Sequence, residues 1–154
     1  RFMLKVQISY PKREEEKQII RDMMKIETLQ IKSVISIQDL LEARELVRQV
    51  YLDEKIEKYI VDIVFATREP EASGLGELTS LISFGASPRA SLALALAARA
   101  YAFIQGRAYV IPEDVRAICY DVLRHRIGLS YEAEALGQSS EDIIRSILNR
   151  VEVP

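Results

Sequence analysis

The stretch SFGASPRASLALALAARA, residues 83–100, decides what fold to expect. Ser87 suits the N-cap of a helix, and Pro88 suits the first helical position, where a missing N–H costs nothing. The run from Ser91 to Ile104 is rich in alanine, is interrupted by Arg99, and reads as the buried helix of a globular domain. Gly106 ends it. One residue goes against this pattern. Arg89 places a cation in the first turn, where the helix dipole favours an anion. A negative group beside that turn would account for it.

The helical pattern continues on both sides. Downstream, YVIPEDVRAICYDVLRHRIG predicts a helix from Pro112, with Glu113 and Asp114 in its first turn. Arg124, His125 and Arg126 fill its last turn, and Gly128 lies just beyond, all in accord with the dipole. SYEAEAL predicts a short helix ending at Gly137. SSEDIIRSILNRV predicts a last one, with Ser139 as N-cap and Asp142 completing a capping box. Upstream, helices are expected over 38–50 and 53–69, the second with Ile56, Ile60, Ile63 and Val64 on one face. PEASGLGE, residues 70–77, has the composition of a flexible linker.

The start of the chain is different. RFMLKVQISY alternates, with Phe2, Leu4, Val6, Ile8 and Tyr10 on one face, which is a strand pattern. Pro11 ends it, and a helix with an acidic first turn follows over about 12–26. A strand needs a sheet, and only SVISI at 33–37 and YVI at 109–111 offer short further candidates. The simplest account makes residues 1–10 the last strand of a sheet whose other strands lie upstream. Pairing with 33–37, or with a second copy of the chain, are the alternatives. The first residue is Arg1 rather than Met, as expected for a processed chain or for a piece of a longer protein.

Composition bounds the function. The 154 residues are 49% apolar, enough for one domain with a real core. The net charge of −2 gives no general drive toward nucleic acid or anionic lipid. There is no tryptophan, and the tyrosines do not alternate with basic residues, so no stacking platform for single strands is present. Cys119 is the lone cysteine and His125 the lone histidine. They cannot form an intramolecular disulfide or an ordinary zinc site, and a reducing cytoplasm is the expected setting. Both are expected to be structural, Cys119 in the core and His125 at a helix end. No signal peptide or membrane-length apolar run is present.

GASPRA, GRAYVIPEDV, VLRHRI and YEAEA, with ATRE at 66–69 and the opening RFMLKVQISYPKREEE, together resemble the C-terminal lid region of MoxR-type ATPases, a branch of the AAA+ superfamily. The resemblance covers essentially the whole chain. It implies a mainly α fold: a helical lid bundle over 12–154, with residues 1–11 a remnant C-terminal strand of the α/β core. It also implies what this chain lacks. An ATPase of this kind binds ATP with a GxxxxGK[ST] loop and a Walker B acid, and here no glycine is followed by lysine. The chain alone is expected to bind no nucleotide and to hydrolyse none, while the parent protein would use ATP and Mg.

By resemblance Arg89 is the sensor 2 arginine, reaching the γ-phosphate of ATP held by the core of the same subunit, with Ser87 and Pro88 beside it. The alternative is a local ion pair with a carboxylate. Arg1 resembles an arginine finger acting in trans on a neighbouring subunit. The implied partners are the AAA+ core of the same chain, neighbouring subunits of a ring, hexameric by resemblance, and a protein with a von Willebrand factor A domain. Remodelling of that partner, or insertion of a metal or cofactor into it, is the implied outcome. No nucleic acid or membrane span is expected.

Other residues have blander readings. Arg68 is expected in a local ion pair. Arg107 and Tyr109 are expected to lock the turn between two helices, and Arg124 and Arg126 to cap a helix end. KREEEK at 12–17 is expected to be a solvated face. Two other function classes compete. IPEDVRAICYDVLRHRI is conceivable as a DNA-recognition helix, but Glu113, Asp114 and Asp121 lie on it. The strand and the alanine-rich helix also suit a non-catalytic oligomerisation module.

Overall fold

The computed structural model describes residues 2–25 and 31–154. Among these described residues seven helices follow one another: α1 Arg13–Met23, α2 Ile37–Gln49, α3 Glu54–Ala66, α4 Pro88–Ile104, α5 Pro112–Leu123, α6 Tyr131–Ala135 and α7 Ser140–Arg150. The mainly α architecture matches the expectation from the helical periods and their caps.

The core lies between α3, α4, α5 and α7. α4 contributes small residues, Ala90, Ala93, Ala97, Ala98 and Ala102, with Leu94 fully buried among them. Small side chains let α5 approach α4 closely, and larger residues fill the space beyond: Ile60 and Ile63 from α3, Val115 and Val122 from α5, Ile144 and Ile147 from α7. Arg116 ties three of these helices together. Its Nη1 donates to the Leu148 carbonyl (2.7 Å) and to the Tyr59 hydroxyl (3.3 Å).

The joint between α4 and α5 is locked as expected. Gly106 has φ 73°, a left-handed conformation that ends α4. Arg107 forms a bidentate pair with the buried Asp114, one arm at 2.7 Å, and also donates to the Tyr109 carbonyl (3.2 Å). Asp114 accepts the Ile111 N–H as well (2.9 Å), which caps α5. Ser139 and Asp142 form the expected capping box on α7.

The structure departs from the sequence reading in three places. Residues 70–77 are not a loose linker. They form two 3-10 turns, Glu71–Ser73 and Gly76–Leu78, pinned by buried Leu75 and Leu78. The periodicity was too short to show this, because single apolar anchors carry no period. Next, β1 Ile82–Phe84 pairs antiparallel with β2 Gly128–Leu129, a ribbon that no strand pattern announced. The Phe84 ring lies over Gly128, where a Cβ would fall 2.1 Å from it, so a larger residue at 128 would push the exposed ring aside. Finally, neither 2–10 nor 33–37 forms a strand ladder among the described residues. The 109–111 candidate supplies one isolated parallel bridge, Tyr109 to Tyr51. Residues 2–10 instead run irregularly past the C-terminal end of α5, where Lys5 N–H donates to the Asp121 carbonyl (2.8 Å). Alternation marks a chain suited to a sheet, and with no strand beside it the backbone takes its partners from a helix end.

Candidate anion site at the start of α4

The turn leading into α4 is held from behind by Thr67. Thr67 is fully buried; its Oγ1 donates to the Val64 carbonyl (2.7 Å) and accepts the Ala86 N–H (2.9 Å). Gly85 lies so close that a Cβ there would fall 2.3 Å from the Thr67 carbonyl oxygen. Ala86 is itself fully buried. One hydroxyl, one glycine and one alanine thus fix the direction in which α4 begins. Thr67 was not singled out from sequence, although it lies within ATRE; a buried hydroxyl has no periodic signature.

Arg89, Ser87 and Pro88 are all exposed at this start. Ser87 has N-cap geometry (φ −75°, ψ 167°), but its side chain makes no cap hydrogen bond, so its expected capping role is not realised. α4 also has no acidic residue in its first turn, whereas each of the other six helices has at least one. The positive end of the longest helix is therefore left uncompensated.

Arg89 opens onto a groove of about 410 Å³ lined by Met3, Arg89, Leu92, Ala93, Leu96 and Arg126. Two guanidinium groups border it and no carboxylate does. Among the described residues Arg89 has no salt-bridge partner, so the alternative of a local ion pair is not what the structure shows. Arg68 corrects a second expectation. It pairs with no carboxylate among the described residues, and its guanidinium sits 5.7 Å from the centre of the Phe65 ring. Arg1 lies outside the described residues.

The end of α5 holds the basic triplet. Arg126 Nε donates to the Val122 carbonyl (2.9 Å), the expected capping contact. Arg124 pairs with Asp121 (2.8 Å) and Glu141 (3.0 Å). Cys119 is fully buried, and burial pushes its thiol up to about 12, so it stays protonated and inert at neutral pH. Among the described residues no three His, Cys, Asp or Glu side chains gather to hold a metal, and no helix is long and apolar enough to cross a membrane.

Chemically, the α4 start fits a phosphate. The positive end of a helix and a planar guanidinium donor both favour phosphoryl oxygens, and here Arg89 supplies the donor, since Pro88 has no N–H and the Ala90 N–H already donates to the Ser87 carbonyl (2.8 Å). The structure supplies only one wall of such a site.

Residues 78–147 match the AAA lid domain family. Over its whole length the chain is 43% identical to chaperone MoxR1 of Mycobacterium tuberculosis, of which it covers 41%. It is 42% identical over 79 residues to protein MoxR of Paracoccus denitrificans, covering 49% of this chain and 23% of that protein. A crystal structure from Cytophaga hutchinsonii, named as a candidate ATPase, superposes with a TM-score of 0.95 at 42% identity, covering all of this chain and 47% of the other. The chain thus spans less than half the length of the full-length relatives it matches. Residues 78–147 thus belong to the AAA lid domain family, and the chain as a whole is similar to part of the MoxR proteins.

Proposed function

We propose that this lid closes over ATP bound by an AAA+ core of the same protein, and that Arg89 contacts the γ-phosphate. The observation that carries the reading is the α4 start: an arginine with no ionic partner among the described residues, on a helix whose first turn alone lacks an acid. Ser87 and Pro88 flank the contact. ATP with Mg supplies the phosphoanhydride that the parent protein hydrolyses, and the lid's part is to bind and orient. A contact present with ATP and absent with ADP gives the lid two positions of different energy, so hydrolysis becomes movement between domains.

Residues 1–11 belong to the core side of this arrangement, with 12–154 as the lid. Arg1 acts in trans on the next subunit of a ring, hexameric as the resemblance implies, where a guanidinium stabilises charge in phosphoryl transfer. Exposed apolar residues on α1 and α2, among them Ile20, Met23, Leu40 and Leu46, are suited to burial against the core or the neighbouring subunit. Remodelling of a partner with a von Willebrand factor A domain, or insertion of a metal or cofactor into it, is the outcome proposed for the cytoplasmic assembly. The charge on α5 speaks against the DNA-recognition alternative: the residues it leaves accessible beside its buried face include Glu113 and Asp121, which a phosphate backbone would repel.

The test is steady-state ATP hydrolysis by the full-length parent, wild type beside Arg89→Ala, with ATP affinity measured in parallel. Loss of a charge-assisted contact to phosphate costs on the order of 1.5–3 kcal/mol, roughly tenfold or more. Unchanged turnover and affinity in a folded Arg89→Ala protein would reject the γ-phosphate contact.

A further inference from the structure

We infer that Thr67 is a positioning residue for Arg89: its buried hydroxyl joins the end of α3 to the start of α4 and so sets where the Arg89 guanidinium meets an anion. The inference rests on the reading of Arg89 proposed above. Arg89 pairs with no carboxylate among the described residues, so no ion pair holds its guanidinium in place. Its reach is set by the backbone of the turn that carries it. Little holds that turn from the solvent side. Ser87, Pro88 and Arg89 are all exposed, the Ser87 side chain makes no cap hydrogen bond, and Pro88 brings no N–H.

The hold comes from behind. Thr67 is the C-cap residue of α3, and its Oγ1 commits its one proton to the Val64 carbonyl (2.7 Å). The lone pairs of Oγ1 are then free to accept, and they take the Ala86 N–H at 2.9 Å. Thr67 and Ala86 are both 0% exposed, so solvent reaches neither side of that bond. Gly85 presses on the same residue: a Cβ there would fall 2.3 Å from the Thr67 carbonyl oxygen and 2.6 Å from its carbon. Both are backbone atoms that cannot swing aside. α3 is itself fixed by Ile60, Ile63 and Val64, all buried in the core. The hydroxyl therefore carries the rigid frame of the bundle to an exposed turn. Without it, the Ala86 N–H is left buried with no acceptor. The turn relieves this by moving toward water, and Arg89 moves with it.

The test uses the full-length parent with Thr67→Val, Thr67→Ser and Arg89→Ala, and with Thr67→Val and Arg89→Ala combined. Thr67→Val keeps the branched shape and removes the hydroxyl. ATP turnover is expected to fall roughly tenfold, and no further than in Arg89→Ala, because one contact is misplaced and the rest of the site is intact. ADP has no γ-phosphate, so its affinity is expected to stay within about twofold of wild type. Thr67→Ser keeps the hydroxyl and is expected to hold turnover within about threefold of wild type. In the combined variant, Thr67→Val is expected to add nothing to the loss from Arg89→Ala. Thr67→Cys, whose sulfur is a weak acceptor, is the variant to read if Thr67→Val fails to fold, with a smaller fall and the same dependence on Arg89. A purely structural Thr67 would weaken ADP as much as ATP, or deepen the loss in the combined variant, and either result overturns the inference. Wild-type turnover in a folded Thr67→Val protein while Arg89→Ala is impaired also overturns it, and leaves the γ-phosphate reading standing. Wild-type turnover and affinity in Arg89→Ala reject that reading, and the inference falls with it.

Discussion

α1 and α3 are written in nearly the same language and meet different fates. Both begin with acids, Glu14–Glu16 in α1, Glu54 and Glu57 in α3, and both carry apolar residues at helical spacing. α3 buries Ile56, Tyr59, Ile60, Ile63, Val64 and Ala66. α1 buries nothing: Ile20 is 56% exposed and Met23 82%. Local sequence specifies that a segment is helical and which of its faces is apolar. It does not specify what covers that face. For α3 the cover is α4, α5 and α7; for α1 none lies among the described residues, and we propose that the core or a neighbouring subunit supplies it.

The largest effect that would test this contrast comes from equivalent truncations in the two regions. Leu94 is fully buried in α4, and Leu94→Ala should destabilise the chain by about 3–4 kcal/mol through lost burial and a residual cavity. Ile20→Ala in α1 should change stability by less than about 0.5 kcal/mol. Chemical denaturation of both variants measures the difference, and equal losses would mean that α1 is packed in solution.

Ion pairs give a middle-sized version. Asp114 is 1% exposed and holds both arms of Arg107 and the Ile111 N–H. Asp114→Ala should cost about 2–3 kcal/mol, moderated because Arg107 retains access to water. Glu14 pairs with Lys17 at 2.8 Å on a solvated face, and Glu14→Ala should cost no more than about 0.5 kcal/mol.

Helix caps give the smallest. Ser139→Ala removes a realised cap from α7 and should cost about 1 kcal/mol. Ser87→Ala removes a hydroxyl that makes no cap bond and should cost only about 0.3 kcal/mol. A large loss at Ser87 would show that its hydroxyl is engaged in solution. The α7 cap has a pH signature as well. Hydrogen bonds from Ser139 hold Asp142 below its usual 3.8. A depressed carboxyl contributes stability above the unfolded value and loses it as pH falls through the folded one, so the Ser139→Ala deficit should shrink below about pH 4.

The helices over α2–α5 and α7 were legible because each combines a period, a cap and a stop within a dozen or so residues. The candidate site was legible at Arg89, because a cation in the first turn contradicts the dipole and so stands out against its own helix. Thr67 was not, and neither was the grip of Arg124, His125 and Arg126 on Phe2 and Lys5. Those contacts join residues more than a hundred positions apart, and nothing local distinguishes a basic triplet that caps a helix from one that also clasps a distant strand-like segment.

By itself, then, the sequence determined the helices, their polarity, the buried face of α4 and the misplaced charge at its start. These follow from backbone propensity, capping chemistry and periodicity, all of which act within a few residues. Only the tertiary structure decided that residues 70–77 are pinned rather than loose, that 82–84 pairs with 128–129, that 2–10 finds no ladder among the described residues, and that Arg89 shares a groove with Arg126. Each of these depends on which distant surface arrives to satisfy a backbone group or cover an apolar side chain, and short-range patterns carry no record of that.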